Sequence, residues 1–192
     1  MKIVILASGA GSLAQAIFDS VSAGELSVEI IGVISDQPAA PVLDRAVQLG
    51  IKTFVVPMKP ERLQWDRELF AVAQSLNPDL MVSAGFMRIL APDFVRRFRI
   101  INSHPALLPN FPGAHAVRDA LTAGVSRTGT TMHWVDEGVD TGEVIAQVAV
   151  DILPSDTEES LHERIKIQER GLIVATIRTL IPIYSQSLES EK

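Results

Sequence analysis

KIVILASGAGSLAQAIF, residues 2–18, is the stretch from which the fold can be read. Lys2 to Ala7 is a β-branched apolar run, Ser8 to Ser12 is a short series of small residues, and Ala16, Ile17 and Val21 then fall on one helix face. The change of period across a glycine turn predicts strand, tight turn and helix in that order. The same unit recurs downstream. Val28 to Ser35 predicts a second strand, Val42 to Leu49 a helix stopped by Gly50, and Thr53 to Val56 a third strand before Pro57. A helix is expected from about Glu61 to Ser75, ended by Asn77 and Pro78, and Leu80 to Ala84 reads as a fourth, buried strand. Strands alternating with helices make an α/β protein, with a mostly parallel twisted sheet carrying helices on both faces.

After Gly85 the pattern changes. A short helix around Phe94 leads to Ile100 and Ile101, and a proline-rich loop follows from His104 to Gly113. Thr128 to Val135 and Val144 to Val150 predict two further strands, joined by the acidic loop Asp136 to Gly142, so an antiparallel portion is expected toward the C-terminal half. Ser155 and Glu158 have capping-box spacing, and the helix they open should reach about Leu180 before Pro182 stops it.

Composition narrows the function. A chain of 192 residues, 47% hydrophobic and 21% charged, suits one compact domain spanning 1–192. Without cysteine there is no disulfide, thiolate zinc site or cysteine nucleophile. Apolar runs fall short of the roughly 20 residues that span a bilayer, and the sequence opens directly on a strand, so a cytoplasmic protein with no membrane partner is expected. A net charge of -6 argues against broad nucleic-acid binding.

Three places carry candidate chemistry. Gly9, Ala10, Gly11 and Ser12 link a strand to a helix, where free amides and the helix dipole can hold a phosphate. Ala14 and Asp36 weakly complete a dinucleotide fingerprint there, and a turn that merely needs small residues explains the segment as well. Asn102 and His104 end a predicted strand; an amide and an imidazole can both donate to a developing oxyanion, although a histidine before proline is also an ordinary loop residue. Asp140 lies in a loop that could be a plain solvated turn. Placed beside His104, its carboxylate would raise the histidine pKa and keep the ring protonated. His133 and His115 are further polar candidates, with His133 in a supporting role.

ASGAGS (Ala7 to Ser12), AGFMRIL (Ala84 to Leu90), NSHPALLPNFPG (Asn102 to Gly113) and DEGVDTG (Asp136 to Gly142) occur in the order and spacing of one family. Over almost its whole length the chain resembles the phosphoribosylglycinamide formyltransferases, folate-dependent enzymes of purine biosynthesis. The resemblance implies a Rossmann-like formyltransferase fold and transfer of a formyl group from 10-formyltetrahydrofolate to the amine of glycinamide ribonucleotide, with no metal. It implies that Asn102 and His104 stabilise the tetrahedral oxyanion and that Asp140 holds His104 as a cation. Met87, Arg88, Ile89, Leu90 and Asn102, with the backbone of Asp136, Glu137, Gly138, Val139 and Asp140, would form the folate slot, and Arg62 would meet the glutamate tail. Gly11, Ser12 and Leu13 would bind the substrate phosphate, and Lys166 and Glu169 would approach the ribonucleotide.

Leu13 departs from the asparagine common in this family, so any phosphate contact there falls to the backbone amide. A monomer or homodimer working on small molecules is expected. Three enzyme alternatives share features with the chain. Formyltetrahydrofolate hydrolase resembles it only beyond an additional N-terminal domain, methionyl-tRNA formyltransferase carries a further C-terminal domain, and an NAD-dependent dehydrogenase is suggested by Gly9 and Gly11 alone. A non-catalytic nucleotide-binding module on the same fold is the alternative of another class.

Overall fold

The computed structural model describes residues 1–190, with side chains for all of these except 183 and 185–190. Strands β1 (Lys2–Leu6), β2 (Glu29–Ser35), β3 (Thr53–Val55), β4 (Leu80–Ser83) and β5 (Ile100–His104) pair in parallel. Strands β6 (Arg127–Trp134) and β7 (Val144–Asp151) add antiparallel to β5, giving one seven-stranded sheet in the order β3-β2-β1-β4-β5-β6-β7. The chain direction across the sheet reverses between β1 and β4. The carboxyl ends of those two strands therefore flank a crevice, the usual ligand position in open α/β sheets.

Alternation along β1 explains both cores. Ile3, Ile5 and Ala7 face one side, where helices α1 (Ser12–Ser22), α2 (Pro41–Gln48) and α6 (Glu158–Ser190) contribute Ile17, Phe18, Val42, Ile173 and Ile177. Val4 and Leu6 face the other side, against Trp65 and Leu69 of α3 (Arg62–Leu76) and Phe94 of α4 (Pro92–Arg97). A central strand buried on both faces requires a continuous apolar run, which is why KIVIL reads as it does. Each fully buried aliphatic side chain contributes roughly 1.5–3 kcal/mol. Trp65 is buried without an orphaned polar atom, because its Nε1 donates to the Val56 carbonyl at 2.8 Å.

The antiparallel β6–β7 pair agrees with the sequence expectation, and three details differ from it. Helix α5 (Ala116–Thr122) was not expected; its seven residues bury only Ala116, Val117 and Ala120, too short a pattern to reveal a helical period. The capping box of α6 lies two residues beyond Ser155 and Glu158: Thr157 N donates to Ser160 Oγ at 3.0 Å and Ser160 N to Thr157 Oγ1 at 3.2 Å. Asp156 is drawn instead into a clamp with Arg164, at 2.6 Å, and with the Leu153 amide. The Arg164 hydrogen bond outweighs burial and holds the Asp156 carboxyl far below its ordinary range.

Finally, α6 continues through Pro182. Proline removes one ladder hydrogen bond there. Ile181 and Tyr184 still pack against the core, and Arg99 stacks on the Tyr184 ring at 5.4 Å, so tertiary contacts carry the helix past the break. Among the described residues, no helix is long and apolar enough to cross a membrane.

Gly129 sits inside the β6–β7 ladder opposite Ala149, and a Cβ there would lie 2.1 Å from the Val148 carbonyl oxygen. Gly171 in α6 has open space around the same position. Urea denaturation should therefore show Gly129→Ala losing about 1–3 kcal/mol and Gly171→Ala gaining about 0.4–1 kcal/mol. Equal effects from the two changes would contradict this account of the ladder.

Candidate active site

The end of β5 distributes its side chains between two clefts. Ile100 belongs to the core with α3 and α4, and Ile101 to the core with α1 and α6. Strand alternation then sets Asn102 and His104 on the first face and Ser103 on the second. Antiparallel pairing brings His133 opposite Asn102 and Thr131 opposite His104. Thr131 Oγ1 donates to the Ala106 carbonyl and accepts from the Leu108 amide, which folds the proline-rich loop back over the strand end.

His104 is 3% exposed and held at both ring nitrogens. Nδ1 lies 3.2 Å from Asp140 Oδ2, and Nε2 lies 2.8 Å from the Phe111 carbonyl oxygen. Both neighbours accept, so each ring nitrogen is satisfied when it carries a hydrogen. Phe111 and Asp140 have φ of 54° and 55°, left-handed values uncommon outside glycine. Such backbone persists only where its surroundings hold it, and here both strained residues supply the partners of one imidazole.

Local geometry explains how Asp140 gets there. In the loop after β6, Asp136 Oδ1 accepts from Gly138 N at 3.0 Å and from Thr141 Oγ1 at 2.7 Å. A Cβ on Gly142 would collide with the Trp134 carbonyl, so the loop closes this tightly only with glycine there. Asp140 Oδ2 also accepts from the Gly113 amide at 2.8 Å, and Oδ1 lies 3.5 Å from His133 Nε2. Burial pushes the Asp140 carboxyl up, but the His133 and Gly113 hydrogen bonds and the two imidazoles outweigh it and hold it below its ordinary range. His133 Nδ1 faces the Trp134 carbonyl at 2.9 Å, and Nε2 faces Asn102 Nδ2 at 3.2 Å. A chain of contacts thus joins Asn102, His133, Asp140 and His104.

The first cleft is lined by Arg88, Ile89, Leu90, Asn102, Asp136, Gly138, Val139 and Asp140, together with Phe86, Val135 and His133. Of the residues expected in a folate slot, the side chains of Arg62, Met87 and Glu137 make other contacts. Arg62 pairs with Asp66 at 2.8 Å and donates to the Ile89 carbonyl at 2.5 Å, bracing the loop at the cleft from behind. Glu137 pairs with Arg96 at 2.7 Å. Met87 lines the second cleft.

That second cleft occupies the crevice between β1 and β4 and gathers Gly11, Ser12, Leu13, Lys166 and Glu169. Gly11 has φ 73°, and a Cβ there would meet Val42 Cγ2 at 2.5 Å. Helix α1 begins at this point with no side-chain cap, leaving the amides of its first turn directed at the cleft. The Leu13 side chain is 7% exposed and packs into the core. Lys166 Nζ is 2.6 Å from Glu163 Oε1. Glu169 is 4% exposed, and its Oε1 accepts from Ser103 Oγ at 2.8 Å. Burial raises its pKa above the ordinary value, only partly offset by Ser103 and the charges of Lys166 and Arg170.

Ser103, Pro105 and His162 also line this cleft; Ser103 and Pro105 stood at the predicted strand end without a role, and His162 was not singled out in the sequence. The period of two along β5 pointed to Ser103, and the spacing of four from Lys166 pointed to His162. Asp36, the acid that a dinucleotide site would place on a ribose, is bound instead to Arg88 at 2.7 Å.

Consecutive side chains at the end of β5 serve the two clefts, Asn102 lining the first and Ser103 the second, and the chain belongs to the formyl transferase family, a class of group-transfer enzymes, whose profile matches residues 1–177. Phosphoribosylglycinamide formyltransferase of Mycobacterium tuberculosis is 45% identical over 183 residues, covering 93% of this chain and 84% of that one. The enzyme of the same name from Escherichia coli K12 is 39% identical, covering 90% of this chain and 83% of its own length. The crystal structure of phosphoribosylglycinamide formyltransferase from Bacillus halodurans superposes with a TM-score of 0.90 at 39% identity, covering 94% of this chain and 95% of that one.

A carboxyl whose folded pKa lies above its unfolded value contributes stability that is present below the unfolded pKa and lost as pH rises through the folded one. Glu169 is such a group. Thermal melts of Glu169→Gln against the parent protein should therefore show a relative gain in Tm that grows from pH 4 to pH 8. A Tm difference independent of pH would contradict the buried, reluctant carboxylate described above.

Proposed function

We propose that this protein transfers the formyl group of 10-formyltetrahydrofolate to the amine of 5-phosphoribosylglycinamide, giving formylglycinamide ribonucleotide and tetrahydrofolate, and that it does so in the cytoplasm as one formyltransferase domain. The observation that carries the reading is the clasp on His104, with Asp140 on one side, Phe111 on the other and Asn102 beside it on the same strand face.

The first cleft suits a folate head. Ile89, Leu90 and Val139 offer apolar walls for a flat heteroaromatic ring, while Arg88 and the polar loop from Asp136 to Asp140 offer edges for its hydrogen-bonding groups. The second cleft suits a phosphorylated ribose: the amides at the start of α1 and the Lys166 ammonium meet the phosphate, and Glu169 accepts from a hydroxyl. The two reactants meet where Asn102 and His104 face the formyl carbon.

The amine nitrogen forms its bond to that carbon, and negative charge appears on the formyl oxygen. Asn102 Nδ2 and an imidazole hydrogen of His104 stabilise this charge, the imidazole hydrogen being one now shared with the Phe111 carbonyl. Asp140 fixes the ring and faces it with an ionised carboxylate. Charge leaves the oxygen as the bond to the folate nitrogen breaks, and the proton shed by the amine balances the one that nitrogen gains. No covalent enzyme intermediate arises.

An assay with formylfolate and glycinamide ribonucleotide, following loss of donor against formation of product, tests the reaction; release of formate without an amine acceptor would favour a hydrolase. His104→Ala and Asp140→Ala should each lower kcat by roughly 10²–10⁴-fold while leaving KM for both substrates within a few-fold. Turnover near that of the parent enzyme in both variants would refute these roles.

A further inference from the structure

Asp36 follows the last residue of β2, and its side chain is fully buried. Its Oδ2 takes hydrogen bonds from Arg88 Nε at 2.7 Å and from Gln37 Nε2 at 2.9 Å, and its Oδ1 is buried with no hydrogen-bond partner. An ionised group this dry is costly unless its partners are well placed, and breaking such a pair from one side leaves an uncompensated charge. Nothing in the formyl-transfer chemistry touches Asp36, so its burial requires another explanation.

The explanation lies in the segment that Asp36 holds. Residues 84–90 run between the two clefts: Gly85 and Met87 line the nucleotide cleft, while Arg88, Ile89 and Leu90 line the folate cleft. Ala84 and Phe86 are buried in the cores on either side of the sheet, whereas Gly85 has φ 81° and Met87 and Ile89 are exposed by 69% and 61%, so the stretch from 87 to 89 has little packing of its own. Polar ties fix it in place. The Met87 amide donates to Ser8 Oγ at 2.9 Å, the Ser8 amide donates to the Gly85 carbonyl at 3.0 Å, and Arg88 reaches Asp36. Ser8 belongs to the turn that opens the nucleotide cleft. One buried carboxylate therefore anchors, through Arg88, a wall shared by both clefts.

We propose that Asp36 is a positioning residue which, through Arg88, sets the 84–90 segment for both substrates at once, so that loss of its charge weakens nucleotide and folate binding together. The proposal rests on the assignment of the two clefts made under Proposed function. Asn102, His104 and Asp140 stand on β5 and on the loop between β6 and β7, outside the anchored segment, so the chemical step is spared.

Asp36→Asn is the informative variant, because it removes the charge, keeps an acceptor and leaves Arg88, 33% exposed, free to turn into solvent. With the parent enzyme turning over formylfolate and glycinamide ribonucleotide, Asp36→Asn should raise KM for both substrates by roughly tenfold each, with kcat within about threefold of the parent. Arg88→Gln also removes an edge of the folate cleft, so the comparison is made on the nucleotide: it should raise KM for glycinamide ribonucleotide about as much as Asp36→Asn does, and the double variant should raise it no further than the more affected single variant, since both act through one contact. An unchanged KM for either substrate, or effects that multiply in the double variant, would overturn the proposal. If circular dichroism shows Asp36→Asn unfolded, Asp36→Ser, smaller and still able to accept from Arg88, carries the same comparison. Absence of turnover in the parent enzyme would instead sink the underlying functional reading, and the two failures are told apart by that control.

Discussion

The contact between His104 and Asp140 joins parts of the chain that share no local structure. His104 ends a parallel strand of the central sheet, and Asp140 sits in the turn between the two antiparallel strands. At 3.2 Å the pair also gathers the proline-rich loop, because Gly113 donates to the same carboxylate and Phe111 accepts from the same imidazole. Two left-handed backbone positions, each costing on the order of 1–3 kcal/mol, are held in place there. The apolar cores on either side of the sheet supply the rigidity that lets such positions persist, so packing and site geometry are one problem.

Much of this was legible in the residues. The continuous apolar run of Lys2 to Ala7 announced a strand, which packs on both faces, and Gly11 marked a turn that only glycine can make beside Val42. Asn102, Ser103 and His104 were readable as a strand end, and the acidic turn as a connection between antiparallel strands. The convergence of His104 with Asp140 was not readable from spacing, because the two stand 36 positions apart in the chain; it entered through likeness to a family. Other features depended on tertiary packing. Helix α5 is too short to display a period, Pro182 is overridden by contacts of neighbouring residues with the core, and the α6 cap is made by Thr157 and Ser160, with the Ser160 hydroxyl also donating to Asp156 while Asp156 pairs with Arg164.

Charge placement separates the two clefts in kind. The first cleft relies on an ionised carboxylate kept low by surrounding donors, whereas the second keeps Glu169 in a buried setting that disfavours its charge. Desolvation is the first influence on both, and the number of hydrogen bonds each carboxylate accepts decides the opposite outcomes. The acid beyond β2 illustrates how a fold-level expectation can mislead: an aspartate in the position that suits a ribose in dinucleotide enzymes is here committed to an arginine.

The alternation at the end of β5 makes the length of that strand unforgiving. Deleting or inserting one residue between Ile100 and His104 would rotate every following side chain by half a turn, carrying Asn102 to the opposite side of the sheet and exchanging it with Ser103. The lining of both clefts would be altered in a single event. Variation in chain length can thus accumulate in the outer loops, whereas this five-residue strand is locked in frame by the opposite demands of its neighbouring residues.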